Sequence, residues 1–175
     1  MYTETYFNSE DPTFKSNLES QILDSIDDTI DHVSAISNNL SPHILKNFGL
    51  KTAIQKFCDK IQKSSKINID TKVIIDNRLA EEIEVTFYRV VIELVNNTIK
   101  HANASKIIIE LAKNGNTIVL NYSDNGIGYK FDELMKKSKG MGLFNIKSRI
   151  ESLNGELNFS SVPLEKLSLR LTVPL

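Results

Sequence analysis

The sequence predicts an α/β two-layer sandwich, in which a mixed, mostly antiparallel sheet is covered on one face by helices and preceded by one long helix. Three observations lead there. The chain has 175 residues, 41% hydrophobic and 25% charged, a balance near that of soluble globular proteins and a length that buries roughly 70% of the unfolded surface. Helical apolar stripes alternate with β-branched runs, without the strict strand-helix-strand rhythm of a parallel sheet. Two of those runs, Lys106–Ala112 and Thr117–Ser123, are joined by Asn114-Gly115-Asn116, where tolerance of positive φ marks a hairpin and hence antiparallel pairing.

Taken in order, residues 1–13 lack periodicity and contain Pro12, the pattern of a mobile lead-in. From Phe14, the residues Leu18, Ile22, Ile26, Ile30, Val33, Ile36 or Ser37, and Leu40 fall at steps of three and four and predict a long helix over 14–40. Pro42 ends it, because the residue before a proline is pushed out of the helical region. Such a stripe serves either packing against the rest of the chain or a seam for a partner helix. After Gly49, the spacing of Leu50, Ala53, Ile54, Phe57, Cys58 and Ile61 predicts a second helix with Cys58 on its buried face, a small core hydrophobe rather than a redox group. Ile67, Ile69, Val73 and Ile75 alternate as extended chain. Leu79, Ile83, Phe87, Val90, Val91, Leu94, Val95 and Ile99 mark a third helix running to about His101. Beyond the hairpin, Gly142–Leu153 forms a fourth helix closed by Asn154-Gly155, and strands Glu156–Ser160 and Lys166–Val173 finish the chain. The expected organisation is a lead-in over 1–13, a helix and linker over 14–48, and a globular domain over 49–175.

Composition narrows the function. No apolar run exceeds three residues, whereas a membrane span needs about 20 and a signal peptide an apolar block of about 7 or more. The chain by itself is therefore expected to be neither secreted nor membrane-spanning. Cys58 is the single cysteine, and the three histidines lack partners at metal-ligand spacing, which points to a reducing cytoplasm and no structural zinc. Residues 1–40 hold one lysine against eight acids, a net charge of −7, while the remainder holds 20 basic and 14 acidic side chains, a net of +6. A mildly basic module suits a polyanionic ligand such as a nucleotide, or simply a solvated surface. Nucleic acid is not the expected partner, since only four arginines are present and no basic-aromatic interleaving occurs.

Three segments carry the chemistry. Glu93, Asn97 and Lys100 or His101 lie one helical turn apart and share a face, giving either a polar site or a solvated ladder at a helix end. Asp124-Asn-Gly126-Ile127-Gly128 follows a strand directly, where Asp-Asn-Gly also makes a common turn. Lys139-Gly140-Met-Gly142-Leu143 opens the fourth helix, where glycines let backbone approach a ligand and free N–H groups sit at the positive helix end. The 11 residues between Gly128 and Gly140 carry Lys130, Lys136, Lys137 and Lys139, a basic flap between glycine-rich hinges that reads as a lid over phosphates.

In this order, Glu-x-x-x-Asn-x-x-Lys-His, Asp-x-Gly-x-Gly and Gly-x-Gly-Leu closely resemble the N box and two glycine boxes of the histidine kinase ATP-binding superfamily. That superfamily includes sensor kinases, gyrase-type ATPases and a few serine kinases. The stretch NLSPHILKNFGLKTAI resembles the segment joining the second dimerisation helix to the ATP-binding domain in two-component sensor kinases of the NarL-partner type. The resemblance spans residues 14–175. It implies that this chain binds Mg-ATP and transfers the γ-phosphoryl group to a histidine, with residues 14–40 a remnant second dimerisation helix. It also implies a role for each motif residue. Glu93 acts near the γ-phosphate, Asn97 ligates Mg²⁺ through a hard side-chain oxygen, Lys100 pairs with phosphates as a point charge, and His101 lies against the nucleotide. Asp124 accepts the exocyclic amine of adenine. Gly126, Ile127, Gly128, Gly140 and Gly142 shape the loop around the nucleotide, with Leu143 fixing the helix start. The implied partners are ATP, a response regulator reached through the full-length kinase, and a second copy in the full-length protein, with this chain itself a monomer or weak dimer. The implied location is cytoplasmic, in a parent that is soluble or membrane-anchored. The alternatives are a serine kinase of the same superfamily or a degenerate nucleotide-binding regulatory module.

Two features depart from the family pattern. Where related domains carry a Gly-Thr pair entering the last strand, this sequence has Lys166-Leu167. The family's acceptor histidine precedes an acidic residue, whereas His32, His43 and His101 precede Val33, Ile44 and Ala102. The chain therefore reads as a fragment lacking the acceptor helix and any sensor.

Overall fold

The computed structural model describes residues 43–127, 141–162 and 166–175. The long helix expected over 14–40, the lead-in and the basic flap lie outside the described residues, as do Gly128 and Gly140. The chain divides into two units at Pro42, and the second, His43–Leu175, holds everything that follows.

Its elements are α1 (His43–Ser64), β1 (Asn68–Ile74), α2 (Glu81–Asn97) continued by a π-helical turn (Thr98–Ala102), β2 (Lys106–Asn114), β3 (Thr117–Asp124), α3 (Met141–Glu151), β4 (Glu156–Val162) and β5 (Lys166–Pro174). The strands form one sheet in the order β1-β2-β3-β5-β4. β1 runs parallel to β2, and the other three pairings are antiparallel, which is the mixed, mostly antiparallel sheet that the sequence predicts. A two-residue loop, Gly115-Asn116, closes the β2–β3 hairpin with Asn114 opposite Thr117 and φ 60° at Gly115. The parallel pairing needs a crossover, which α2 supplies.

Alternation along the strands decides which face is covered. Ile107, Ile109 and Leu111 of β2 are fully buried, while Ile108 between them is 39% exposed. Against the buried face pack Leu50 and Ile54 of α1, Phe87, Val91 and Leu94 of α2, and Ile146 and Ile150 of α3. Cys58 lies in the same core, as its place in the apolar stripe predicts. Burial and the nearby Asp59 push its thiol up to about 12. Three acids in the first turn of α2, Glu81, Glu82 and Glu84, complement the positive end of that helix. Among the described residues no helix is long and apolar enough to cross a membrane.

α1 begins upstream of Gly49, where the sequence places only linker. The helix kinks at Gly49 (φ 78°, ψ 174°), a left-handed conformation that favours glycine. The preceding turn still belongs to the domain, because Leu45 is buried in its core. Arg78 fastens that turn. Its guanidinium donates to the carbonyl oxygens of Lys46 (3.1 Å) and Leu45 (3.4 Å) and, in a fork, to buried Glu84 at 2.8 and 2.7 Å. The backbone N–H of Leu79 adds a third donor to the same carboxylate at 3.1 Å. A side chain at Gly49 would also press on Arg78, 3.2 Å from an added Cβ.

Candidate functional site

The period of two that buries Ile118, Leu120 and Tyr122 of β3 continues to Asp124, the last residue of the strand. A carboxylate thus falls on the apolar face and is only 4% exposed. Burial of that kind requires hydrogen-bond donors. Thr98 Oγ1 donates to Asp124 Oδ2 at 2.7 Å, and the Gly126 N–H donates to Oδ1 at 2.9 Å. Behind Thr98, the Tyr122 hydroxyl lies 2.7 Å from Thr98 Oγ1 and 3.1 Å from the Leu94 carbonyl oxygen, and with the Thr98 hydrogen on Asp124 its one hydrogen is shared between these two acceptors.

These contacts form a ladder between helix and strand. Leu94, Thr98 and Ala102 follow one another at four-residue steps and meet Tyr122, Asp124 and Gly126, which follow at two-residue steps. The rungs match because four helical residues rise about 6 Å and two extended residues about 6.7 Å. At the last rung the backbones nearly touch. An added Cβ on Gly126 would stand 2.4 Å from the Ala102 carbonyl oxygen, which also accepts the Ile127 N–H at 2.8 Å. Only glycine fits between them. Asn125 faces the other way and anchors the start of β2, its Oδ1 accepting the N–H groups of Ser105 (3.0 Å) and Lys106 (2.8 Å).

The residues singled out in the sequence lie beside this ladder. Glu93, Asn97 and His101 each precede a helical rung by one residue, so they occupy the adjacent row, about 100° round the helix. Glu93 and Asn97 are half-buried, and Lys100 and His101 are exposed. The α-helix stops at Asn97 rather than running to His101. Thr98–Ala102 form a π-helical turn, a rare widening that is frequent at functional sites. Asn103, with φ 50°, then ends the segment. Ile127 is 49% exposed just beyond Gly126. Gly142 and Leu143 fall in the first turn of α3, as the glycine-opened helix requires. His43 heads α1, its Nδ1 lying 2.8 Å from Asn47 Nδ2.

Leu167, one of the residues that depart from the family pattern, pairs directly opposite Asp124 across β3 and β5 and is 3% exposed. It therefore walls the carboxylate with apolar surface and offers no hydrogen bond of its own. Thr98, Tyr122 and Ala102 carry the site's support and went unmarked in the sequence. The signal was available in the four-residue spacing back to Leu94 and in the alternation that drives Asp124 inward.

Residues 82–175 match the family of histidine kinase-, DNA gyrase B- and HSP90-like ATPases. Over 147 residues the chain is 32% identical to the oxygen sensor histidine kinase NreB of Staphylococcus carnosus, covering 83% of this chain and 42% of that protein. It is 26% identical over 159 residues to the sensor histidine kinase ComP of Bacillus subtilis, covering 89% of this chain and 21% of that one. With DegS of Brevibacillus brevis, a signal transduction histidine-protein kinase/phosphatase, it shares 28% identity over 82% of this chain and 37% of the relative. The chain thus spans less than half the length of each of these relatives. Among solved structures, the histidine kinase AdeS of Acinetobacter baumannii gives a TM-score of 0.60 at 17% identity, covering 95% of this chain and 86% of its own. The histidine kinase domain of a blue-light activated kinase from Erythrobacter litoralis gives 0.58 at 16% identity, covering 72% and 61%. These neighbours agree on the fold, and with a family match across more than half of its length, the chain belongs to the histidine kinase-, DNA gyrase B- and HSP90-like ATPases.

Proposed function

We propose that this chain is the ATP-binding catalytic part of a two-component sensor histidine kinase, which binds Mg-ATP at the end of β3 and passes the γ-phosphoryl group to a histidine. The observation that carries this reading is the buried Asp124 carboxylate, held by Thr98 and Gly126 next to the Glu93–Asn97–His101 row of a family ATPase. An ionised carboxylate has about four lone-pair sites, and two are used. The others suit the exocyclic amine of adenine, and Leu167 and Ile107, opposite Asp124 on either side, keep its flanks dry.

The remaining residues take phosphate-side roles. Among the described residues no group of three or more His, Cys, Asp or Glu is arranged for a metal. Asn97 fits Mg²⁺ as a single hard oxygen donor, since that ion is commonly held by one or two protein groups together with substrate phosphates. Mg²⁺ supplies charge neutralisation on the phosphates. Lys100 adds a point charge, and His101 lies along the nucleotide. Glu93 orients the acceptor imidazole and takes up its proton, while a new bond from the ring nitrogen to phosphorus replaces the bond to ADP oxygen. Gly128, Gly140, Gly142 and Leu143 take the nucleotide-shaping roles that the motif resemblance implies. Positioning and electrostatics supply most of the rate in phosphoryl transfer.

The acceptor is a histidine outside these residues, because His32, His43 and His101 each precede an uncharged residue, and the one adjacent acid, Asp31, comes before His32 rather than after it. The full-length kinase then hands the phosphoryl group to a response regulator, works as a homodimer, and faces the cytoplasm. Incubating the chain with γ-labelled Mg-ATP should leave it unlabelled, whereas adding a separate helical segment with a His-Glu or His-Asp pair from the parent kinase should yield acid-labile label on that segment. Label on His32 or His43 of the chain, or none on the added segment, would contradict the proposal.

A further inference from the structure

We infer that Thr98, backed by Tyr122, is a positioning residue that fixes the Asp124 carboxylate for base selection. The inference rests on the adenine role proposed for Asp124 and deepens it. A threonine in a helix ordinarily returns its hydroxyl to a carbonyl one turn back. Here Thr98, 1% exposed, sends its hydrogen across to Asp124 Oδ2 instead. The terminal torsion of an aspartate is broad and soft, so the Gly126 N–H on Oδ1 alone leaves the carboxylate plane free to turn. A second donor on the other oxygen, from a different element, removes that freedom.

The Thr98 hydroxyl needs its own restraint, since it rotates to suit its neighbours. Tyr122 gives it one. Because the Thr98 hydrogen is spent on Asp124, the Tyr122 hydroxyl is the donor in its 2.7 Å contact with Thr98 Oγ1, and the Leu94 carbonyl oxygen at 3.1 Å shares that same hydrogen. The chain Leu94–Tyr122–Thr98–Asp124 is buried throughout, where hydrogen bonds are strongest.

A fixed acceptor discriminates between bases. An amine at the purine 6-position donates to the lone pairs that remain, whereas the carbonyl oxygen at the same place in guanine meets them as a second acceptor. Buried polar groups left unpaired in this way are the usual source of strong substrate rejection. A carboxylate free to rotate evades that clash and loses part of the selectivity. Thr98 therefore acts on the choice between nucleotides as well as on affinity.

Calorimetric titration of the full chain with Mg-ATP and Mg-GTP tests this in wild type, Thr98→Val and Thr98→Ser. Thr98→Val, which keeps shape and loses the hydroxyl, should bind ATP roughly tenfold more weakly (about 1.4 kcal/mol) and narrow the ATP-over-GTP ratio by a similar factor. Thr98→Ser should restore both. A purely structural role would lower the melting temperature, or weaken both nucleotides equally, without changing that ratio. Should Thr98→Val fail to fold, Tyr122→Phe provides the same readout, with an expected narrowing of roughly twofold to threefold. An unchanged ratio in the folded variant overturns the inference alone. Absence of ATP binding by the wild-type chain overturns the adenine reading together with it.

Discussion

At the scale of the residue, Asp124 and Cys58 show the same burial with opposite chemistry. Asp124 lies inside because strand alternation forces it there, and it is matched by two donors. Its importance was legible as Asp-x-Gly-x-Gly. Thr98 was not, because a threonine following Asn97 in a helical stretch looks like filler until β3 is placed against it. Cys58 lies inside because it belongs to the stripe of α1, and nothing nearby stabilises a thiolate. Its folded pKa stands above the unfolded value of about 9, so the folded state holds its proton more tightly and the linked stability is fully present below pH 9. That stability declines as pH climbs from about 9 towards 12, at up to about 1.4 kcal/mol per pH unit. Tyr88, raised by burial and by Cys58, shifts in the same direction. Urea unfolding from pH 8 to pH 10.5 should show this loss, reduced in Cys58→Ala, and iodoacetamide should label native Cys58 far more slowly than the unfolded chain. Rapid native labelling at pH 8 would show that the thiol is not buried.

At the scale of the element, local pattern foretold the strands and helices better than their ends and partners. The β2–β3 hairpin follows from Asn-Gly-Asn, whose loop closes in two residues. The parallel pairing of β1 with β2 had no local sign, because it joins segments separated by a whole helix. The third helix reads as continuous to His101, yet its hydrogen bonds widen at Thr98, where the backbone must bring the Ala102 carbonyl against Gly126. The extension of α1 back to His43 depends on Arg78, a residue 32 positions beyond Lys46 whose part in that turn no periodicity reveals. Arg78 and Glu84 form a one-sided pair, with side-chain exposures of 55% and 3%. Removing a partner from a buried charge is worse than removing both. Arg78→Ala should therefore destabilise the fold more than the Arg78→Ala/Glu84→Ala double variant does, and the two single effects should sum to more than the double. Chemical denaturation of the four species measures that coupling. Simple additivity would show that Glu84 draws no stabilisation from Arg78.

At the scale of the whole molecule, the arrangement in space explains why weak motifs add up. Asp-Asn-Gly, a glycine pair and a helix ending in Lys-His are each ordinary. The sheet order sets β3 in the centre, with its C-terminal end against the end of α2, and the glycine-opened α3 follows that same strand in the chain. One edge of the domain thus gathers a buried carboxylate, a carboxamide and basic side chains, the set proposed above to take a base, a cation and phosphates. The most direct measurement is calorimetric titration of Mg-ATP into the wild-type chain and into Asp124→Asn, with circular dichroism to confirm that both are folded. The wild-type chain should bind ATP, and Asp124→Asn should weaken that binding by roughly 1–3 kcal/mol, because an amide presents a donor where the adenine amine needs an acceptor. Equal ATP affinity in the two folded proteins would contradict the assignment of Asp124 as the base-reading residue.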